Sequence, residues 1–434
     1  MLVDFTVKNF RSIRDEQTLS FYAQHQPEHF ASSIHHPASD KIGVLASAGV
    51  YGANASGKTT LLQALKVMVE FVDTSHRLQE GDLISAFQPY RLSQLTKVAD
   101  TAFAVEFVVK GVRYVYELEL NATKVVYERL DFYAQGAKRE VRSKLFERAK
   151  DSSWEDMTFG TYFKGGTRKF PLFENQAYLS KAGNSPDAPE MIRKVYQFFR
   201  HGLVFASKNI KVVPAWRKNQ AMVDQVAAFL AAVDTGISGI EIKEESPDDL
   251  LSRLPPDMSD AVKQRLLEDF SLVPYFKHTA EDGSVERFAE TDESDGTQRL
   301  FHVLPLLFKV FEYGHILVWD ELESSLHPHV SEVVLSLFND QKVNRNHAQL
   351  LFTTHNLELM DSQKMRKDQL WLTEKRDGAT QLVSLDEFDS GLKATSPFAK
   401  WYDEGRLGGV PGINYALIAD MLTQSAGQKD AQKS

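Results

Sequence analysis

The sequence predicts an α/β fold with a parallel core, and three segments of the 434-residue chain support this prediction. An apolar run over residues 43–51 leads through a glycine-containing loop into a helical pattern. Two further apolar runs, 316–321 and 349–355, end in polar residues, as buried parallel strands do at their carboxyl ends. Because ligand sites in open α/β sheets collect at that edge, these segments form the candidate functional site.

The loop after the first run, Gly52–Thr59, matches the phosphate-binding pattern G-x-x-x-x-G-K-[ST]. Gly52 and Gly57 allow the backbone to wrap around an anion, and the amides that start the next helix point toward a phosphate. Lys58 would reach the β- and γ-phosphate oxygens, and Thr59 would bind Mg²⁺. The predicted nucleotide contacts here are Gly52, Asn54, Ser56, Gly57, Lys58, Thr59 and Thr60. The loop alone predicts a nucleotide site and leaves its use open.

Acidic residues end the second run, and a histidine ends the third. Asp320 can enter a Mg²⁺ shell, and Glu321 can polarise a water for in-line attack on the γ-phosphorus. A single histidine after a strand, such as His355, is more often structural than catalytic. Residues 293–299 and 324–328 add two more polar segments. These four weak signals follow the strong signal of the loop 52–59 in a fixed order, so we interpret them together and not as separate chance matches.

That order resembles the motif order of ABC-type ATPases. Residues 293–298 resemble the signature motif, with Ser294 and Gly296 as nucleotide contacts, and 324–327 resemble the D-loop. Asp320 and Glu321 match the Walker B acids, and His355 matches the switch histidine. The opening segment 7–13 resembles the first strand of the RecF/SMC branch, which adds Arg11 to the nucleotide contacts. Gln88 is the candidate Q-loop residue, as a nucleotide or Mg²⁺ ligand.

The resemblance implies a catalytic set of Glu321, His355 and Lys58, and a metal set of Thr59, Asp320 and Gln88. It implies ATP and Mg²⁺ as cofactors. It also implies a homodimer or higher homo-oligomer, in which the signature motif of one head contacts the γ-phosphate held by the other. ATP would then join two subunits, and hydrolysis would release them.

Most of the chain resembles stand-alone bacterial RecF/SMC-like ATPases of abortive-infection and phage-defence systems, and the resemblance is weakest over residues 186–288. Segments 87–92, 103–120 and 401–411 carry this similarity outside the nucleotide motifs. The expected function is a cytoplasmic ATPase switch that controls a separate effector protein. The alternative is a RecF-like DNA-binding repair ATPase, and a transporter ATPase subunit is a third hypothesis. A GTPase is disfavoured because the chain lacks an Asn-Lys-x-Asp segment.

Composition narrows the class of protein. A hydrophobic share of 43% and a charged share of 25% are those of an ordinary globular protein, and no apolar run reaches the length of a membrane span. Zero Cys excludes disulfides and thiolate zinc sites. The net charge of −9 argues against indiscriminate coating of nucleic acid. Residues 135–170 carry nine bases against five acids, so they form either a phosphate-contacting patch or a solvated hairpin face.

The predicted organisation has four parts. Residues 1–135 form an N-terminal lobe of strands around one helix at 59–71, with a hairpin that turns at Lys110-Gly111. Residues 136–290 form an inserted, largely helical lid or partner-docking region with helices at 191–199, 224–233 and 260–270. Residues 291–422 form a C-terminal lobe with a helix at 297–308, and 423–434 are a disordered tail. Because sustained heptads are absent, a long coiled coil is excluded.

Overall fold

The computed structural model describes residues 1–434 except 25–27, 39–41, 135–140, 151, 207–213, 234, 247–250, 252–257, 261, 265–266, 268–270, 325, 389–390, 394, 410–413, 420 and 423–434. The strands are β1 (Leu2–Lys8), β2 (Gln17–Ser20), β3 (Ile34–His35), β4 (Val44–Leu45), β5 (Ser47–Gly52), β6 (Thr101–Val109), β7 (Val112–Leu120), β8 (Val125–Ala134), β9 (Val141–Arg148), β10 (Thr158–Phe159), β11 (Leu203–Ala206), β12 (Ile237–Glu244), β13 (Leu272–Thr279), β14 (Val285–Ala289), β15 (Ile316–Trp319), β16 (Gln349–Thr353), β17 (Leu370–Arg376) and β18 (Ala379–Ser384). The α-helices are α1 (Lys58–Thr74), α2 (Gln94–Val98), α3 (Tyr178–Gly183), α4 (Glu190–His201), α5 (Gln220–Ala232), α6 (Asp295–Tyr313), α7 (Pro328–Asn339) and α8 (Phe398–Asp403).

Seven strands form an antiparallel sheet in the order β10-β9-β8-β7-β6-β1-β2. The predicted hairpin is confirmed: β6 and β7 pair from Thr101↔Leu120 to Val109↔Val112. Its two turn residues, Lys110 and Gly111, both have positive φ, at 48° and 77°. This is the backbone that a two-residue hairpin turn requires, because its twist matches that of the flanking strands.

Six strands form the second sheet in the order β11-β15-β16-β5-β17-β18, and only β18 runs antiparallel to its neighbour. The three strands that the sequence predicts as the parallel core are therefore direct neighbours, in the order β15-β16-β5. The run 43–51 is divided at Ala46, because β4 pairs with β3 while β5 enters the parallel sheet. The parallel α/β core predicted from the sequence is confirmed.

Side chains of the parallel strands alternate between two core clusters. Val50 and Val318 lie in the cluster that also contains α1 and the antiparallel sheet. Tyr51, Leu317 and Trp319 lie in the cluster that contains the apolar faces of α5, α6 and α7. Successive side chains of a strand point to opposite faces, so both faces of these strands are buried. This burial holds the carboxyl ends of β5, β15 and β16 in register at one edge of the sheet.

The region 136–290 contains two of the three expected helices, α4 and α5, but strands make up much of the rest of its described residues. β9 and β10 extend the antiparallel sheet, and β11 forms one edge of the parallel sheet. β12, β13 and β14 form a separate three-stranded antiparallel sheet. The prediction of a largely helical insert therefore leaves out the strands of this region. β9 pairs with β8, which lies before the predicted boundary at residue 135, so β9 belongs to the sheet of the N-terminal lobe. The sequence pattern of single short strands does not show such long-range pairing.

Helix bounds differ from the predicted ones by a few residues. α1 extends through Thr74, α4 and α5 contain the predicted 191–199 and most of 224–233, and α6 begins two residues before 297 and ends at Tyr313. The predicted helix 260–270 lies largely outside the described residues, and the predicted tail 423–434 lies wholly outside them. None of the helices in the described ranges combines the length and apolar character needed to cross a bilayer.

Candidate functional site

The loop between β5 and α1 has a backbone that only glycine can adopt at two positions. Gly52 has φ of 153° and Gly57 has φ of 118°. A Cβ at Gly57 would overlap the side chain of Thr380, and one at Gly52 would overlap Thr373. The loop therefore turns tightly against β17 and β18. Asn54 is exposed on its outer side, and Ser56 is buried beneath it.

Hydroxyl groups of neighbouring segments support this loop from below. Ser56 and Thr373 share a hydrogen bond of 2.6 Å, and Thr380 donates to the backbone carbonyl of Ser56 at 2.8 Å. Ser12 hydrogen-bonds Thr380 at 2.8 Å and donates to Thr60 at 3.2 Å. The segment that precedes β2 thus contacts the first turn of α1. These contacts hold the loop in one conformation before any ligand binds.

Lys58 is the first residue of α1, and its side chain is 7% exposed. Its ammonium donates to the carbonyl oxygens of Gly52 at 2.8 Å and Ala53 at 3.1 Å. Burial lowers the pKa of Lys58, and the carboxylates of Glu323 and Asp320 oppose that shift. The cation is thus held inside the loop, where an anion can replace the two carbonyl partners.

Asp320 follows β15, and two hydroxyl groups donate to the same carboxylate oxygen. Thr59 Oγ1 lies 3.1 Å from Asp320 Oδ1, and Thr353 Oγ1 lies 2.6 Å from it. The same Thr353 hydroxyl accepts the backbone N–H of Glu321 at 2.8 Å. Thr59 lies in the first turn of α1 and Asp320 follows β15, so the fold brings together two oxygen groups that the sequence places 261 positions apart.

Glu321 adopts a positive φ of 53°, which is uncommon outside glycine and asparagine. Arg299 on α6 donates to the backbone carbonyls of Glu321 at 2.9 Å and Asp320 at 3.4 Å. Backbone strain of this kind persists only where the surroundings hold it, and here Thr353 and Arg299 hold the loop from two sides.

His355 lies two residues beyond the end of β16, and its side chain is exposed. Its backbone N–H donates to Glu323 Oε1 at 2.7 Å. Burial and then the charge of Lys58 lower the pKa of His355, while Glu323 and Glu321 oppose that shift. The charges of Lys58, Glu321 and Glu323 therefore all influence the pKa of His355, so these residues lie near one another.

Arg11 and Gln88 contact each other. Arg11 Nε donates to Gln88 Oε1 at 2.6 Å, and the Gln88 amide nitrogen donates to the carbonyl of Ser85 at 2.9 Å. Both residues line a cavity of about 510 Å³ with Ser12, Tyr90 and Lys375. Gln88 is thus engaged with Arg11 and Ser85 instead of with the Thr59–Asp320 pair. Its predicted role as a metal ligand needs a rearrangement that the structure does not contain.

Ser294 caps the N-terminus of α6. Its hydroxyl accepts the backbone N–H of Thr297 at 3.2 Å, and Ser294 and Asp295 are exposed. In the described part of the chain, no hydrogen bond joins Ser294 or Gly296 to the loop 52–59. The start of α6 at Ser294 and Asp295 is therefore at the surface, where the partial positive charge of a helix N-terminus favours an anion.

Five residues of the site went unnoticed in the sequence. They are Arg299, Glu323, Thr353, Thr373 and Thr380. Three of them, Arg299, Glu323 and Thr353, lie in or beside motif segments, yet their roles depend on contacts between distant segments. The hydroxyl of Thr353 at the end of β16 was the one usable signal, because a strand end at the site edge is where such groups act.

Several bases of the stretch 135–170 are ion-paired or buried where the structure describes them. Arg142 pairs with Glu117 at 2.7 Å and Asp131 at 2.6 Å, and Lys144 pairs with Glu147 at 2.9 Å. Arg148 is buried and donates to the carbonyl of Gln176 at 3.1 Å. These pairs favour a solvated sheet face over a phosphate-contacting patch. Lys138 and Arg139 lie outside the described residues.

A family model described as "AAA domain, putative AbiEii toxin, Type IV TA system" matches residues 47–361, which include the loop, both Walker B acids and His355. Similar solved structures include an SMC head domain from Thermotoga maritima, with 14% identity, a TM-score of 0.39, and coverage of 88% of this chain and 98% of that chain. Another is a SmcHead bound to the C-winged helix domain of ScpA, with 12% identity, a TM-score of 0.40, and coverage of 88% and 97%. No curated protein matches the chain.

Proposed function

Since the chain belongs to the AAA domain family of that description and is an ATPase of the SMC/ABC-like AAA type, we propose that it is an ATP-driven switch whose two heads close around ATP. The observation that supports the proposal best is the convergence of Lys58, the Thr59–Asp320 pair, Glu321 and His355 at the ends of three adjacent strands. A phosphate cradle, a metal-binding oxygen pair and a carboxylate base are the parts that ATP hydrolysis requires.

The donor set fits ATP with Mg²⁺. Thr59 Oγ1 and Asp320 Oδ1 are hard oxygen donors 3.1 Å apart, and Mg²⁺ prefers one or two such protein ligands together with substrate phosphates. When bound, Mg²⁺ would neutralise charge that develops on the β- and γ-phosphate oxygens. The Lys58 ammonium lies inside the loop, and glycine at positions 52 and 57 lets the loop pack closely against Thr373 and Thr380.

The chain's own groups then have distinct roles. Lys58 exchanges its two carbonyl partners for phosphate oxygens, which stabilises the bound anion. Glu321 accepts a proton from the attacking water, and its strained backbone fixes the direction of the carboxylate. His355 contacts the γ-phosphate from the third strand end. Thr353 holds Asp320 and the Glu321 amide so that both acids keep one orientation.

Dimerisation follows from the position of the α6 N-terminus. Ser294 and Asp295 are exposed, and Ser294 is bonded only within its own turn among the described residues. A second head can present its γ-phosphate to these surface amides. Each nucleotide then contacts two subunits, and loss of the γ-phosphate removes the bridge. The switch acts in the cytoplasm on a separate effector, in a bacterial defence response.

A RecF-like DNA clamp has less support. Arg142 and Lys144 are ion-paired to carboxylates, and Arg148 is buried, so these cations are poorly placed for phosphate contacts. Retention of duplex DNA by the purified protein, with a steep dependence on salt, would revive this alternative.

Two variants test the proposed roles of Glu321 and Lys58. Glu321→Gln keeps the shape of the side chain without the base, so ATP binding should persist while hydrolysis falls by about 10²–10⁴-fold. Lys58→Ala should weaken ATP binding itself. Near-normal single-turnover hydrolysis by Glu321→Gln would refute the assignment of the base.

The composite site is tested by mixing inactive Lys58→Ala protein with inactive Ser294→Arg protein. A heterodimer then has one site with both defects and one intact site, so part of the ATPase activity should return. A heterodimer that forms and stays inactive contradicts independent composite sites. Affinity capture from native cells with Glu321→Gln as bait, against Lys58→Ala as the matched control, then identifies the effector by its dependence on bound ATP.

A further inference from the structure

Glu323 joins the loop after β15 to the loop after β16. Its Oε1 accepts the backbone N–H of His355 at 2.7 Å, and this contact spans 32 positions of the sequence. The backbone of its own loop is tied down as well, since Leu326 donates to the Glu323 carbonyl at 2.9 Å. Thr353 holds the Glu321 amide on the other side of the same turn. Thr353 therefore joins the two loops at the end of β16, and Glu323 joins them at His355 itself.

The second oxygen of Glu323 is buried and accepts no hydrogen bond from the residues that the structure describes. A buried acceptor without a donor is costly, so such a group in a folded protein calls for an explanation. The charge of Glu323 acts on Lys58, Arg299 and His355, and among the carboxylates it has the largest effect on Lys58. Glu323 thus lies among three groups of the site, although the motif comparison assigns it no role.

We propose that Glu323 is a positioning residue for ATP hydrolysis: it holds His355 at the γ-phosphate by accepting the His355 backbone N–H. The proposal rests on the ATPase function proposed above. Glu323 differs in its role from Glu321, because its hydrogen bond needs an acceptor oxygen and not a proton-accepting carboxylate. Its contribution should therefore depend on the presence of the His355 side chain.

A pair of variants distinguishes a requirement for an acceptor oxygen at position 323 from a requirement for a carboxylate. Glu323→Gln keeps an oxygen that can accept the His355 N–H, so we expect kcat within about threefold of the unmodified protein, against the loss of about 10²–10⁴-fold that removal of a base causes. Glu323→Ala removes the acceptor, and we expect kcat to fall by about 10- to 100-fold, the typical effect of losing a group that orients a catalytic residue. KM for ATP should change much less, because the loop 52–59 is intact.

A double-mutant cycle with His355 gives the decisive measurement. If Glu323 acts through His355, then Glu323→Ala should cost little further activity in a His355→Ala background, where no imidazole remains to be positioned. An equal loss of kcat in both backgrounds would overturn the proposal. Loss of activity in Glu323→Gln as large as that in Glu321→Gln would also overturn it, since Glu323 would then act through its charge or as the base.

Two controls keep these outcomes distinct. Thermal unfolding and ATP binding of each variant establish that the fold and the cradle are intact. If Glu323→Ala does not fold, Glu323→Asp replaces it, because its side chain is one methylene shorter and withdraws the acceptor. Glu321→Gln and Lys58→Ala test the proposed function independently of position 323. An active Glu321→Gln protein refutes the assignment of the base, and unchanged ATP binding by Lys58→Ala refutes the ATPase proposal.

Discussion

Substitution of Thr353 by valine should uncouple both acids of the site from the sheet while leaving the shape of the core unchanged. The Thr353 hydroxyl donates to Asp320 Oδ1 at 2.6 Å and accepts the Glu321 N–H at 2.8 Å. The residue is fully buried, at 0% exposure. Valine has nearly the same volume as threonine, so the effect should come from the two lost hydrogen bonds and not from a cavity.

The expected loss of stability follows from these two contacts. A hydrogen bond to a charged group contributes about 1.5–3 kcal/mol, and a buried N–H left without an acceptor costs about 1–3 kcal/mol. Because the two share one hydroxyl, they do not add in full, and a decrease of roughly 2–4 kcal/mol in the free energy of unfolding is expected. Hydrolysis should fall by about 10- to 100-fold, because Asp320 and Glu321 lose their common anchor.

Urea unfolding and steady-state ATP hydrolysis measure the two effects. Thr353→Ser is the matched control, because it keeps the hydroxyl and removes only a methyl group. It should retain most of the activity and lose far less stability than Thr353→Val. If Thr353→Val unfolds and hydrolyses ATP like the unmodified protein, the hydroxyl does not organise the acids, and the structural reasoning is wrong.

Three further predictions concern other parts of the molecule. Gly57→Ala should abolish nucleotide binding in a fluorescence titration, because the new Cβ would overlap Thr380 at a backbone φ of 118°. The control Gly81→Ala also has a positive φ, 86°, but open space around it, and should bind nucleotide normally. Burial lowers the pKa of His35 to about 4 in the folded protein, so the unfolded state binds a proton first as the pH falls. The free energy of unfolding should therefore drop by up to about 1.4 kcal/mol per pH unit between pH 6.5 and 4. A urea-unfolding series that is flat over this range would contradict the prediction. Arg142→Gln should leave ATP turnover and the salt dependence of any DNA binding unchanged, because its guanidinium is paired with carboxylates; a lower salt slope would restore the phosphate-contact hypothesis.

Local backbone and side-chain requirements made parts of the structure predictable from the sequence. The phosphate loop needs glycine where φ is positive and a lysine at the start of the helix, so a short pattern identified it. The hairpin at Lys110-Gly111 was predictable for the same reason, since alternating apolar residues flank a two-residue turn. The order of the acidic run, the histidine and the residues before α6 pointed to one family, and the match over 47–361 confirmed it.

Tertiary structure alone decided which segments meet. β15, β16 and β5 are neighbours through pairings such as Leu350↔Ser47 and Val318↔Leu351, and no local pattern specifies them. The same long-range pairing placed β9 and β11 in the two main sheets, where the sequence had predicted a largely helical insert. Thr353 and Glu323 have functional positions only because adjacent strand ends bring them to the acids and to His355. The sequence determined which chemical groups the site contains, through local backbone requirements. The sheet determined which groups become partners, because a side-chain hydrogen bond acts over about 3 Å in space whatever the separation along the chain.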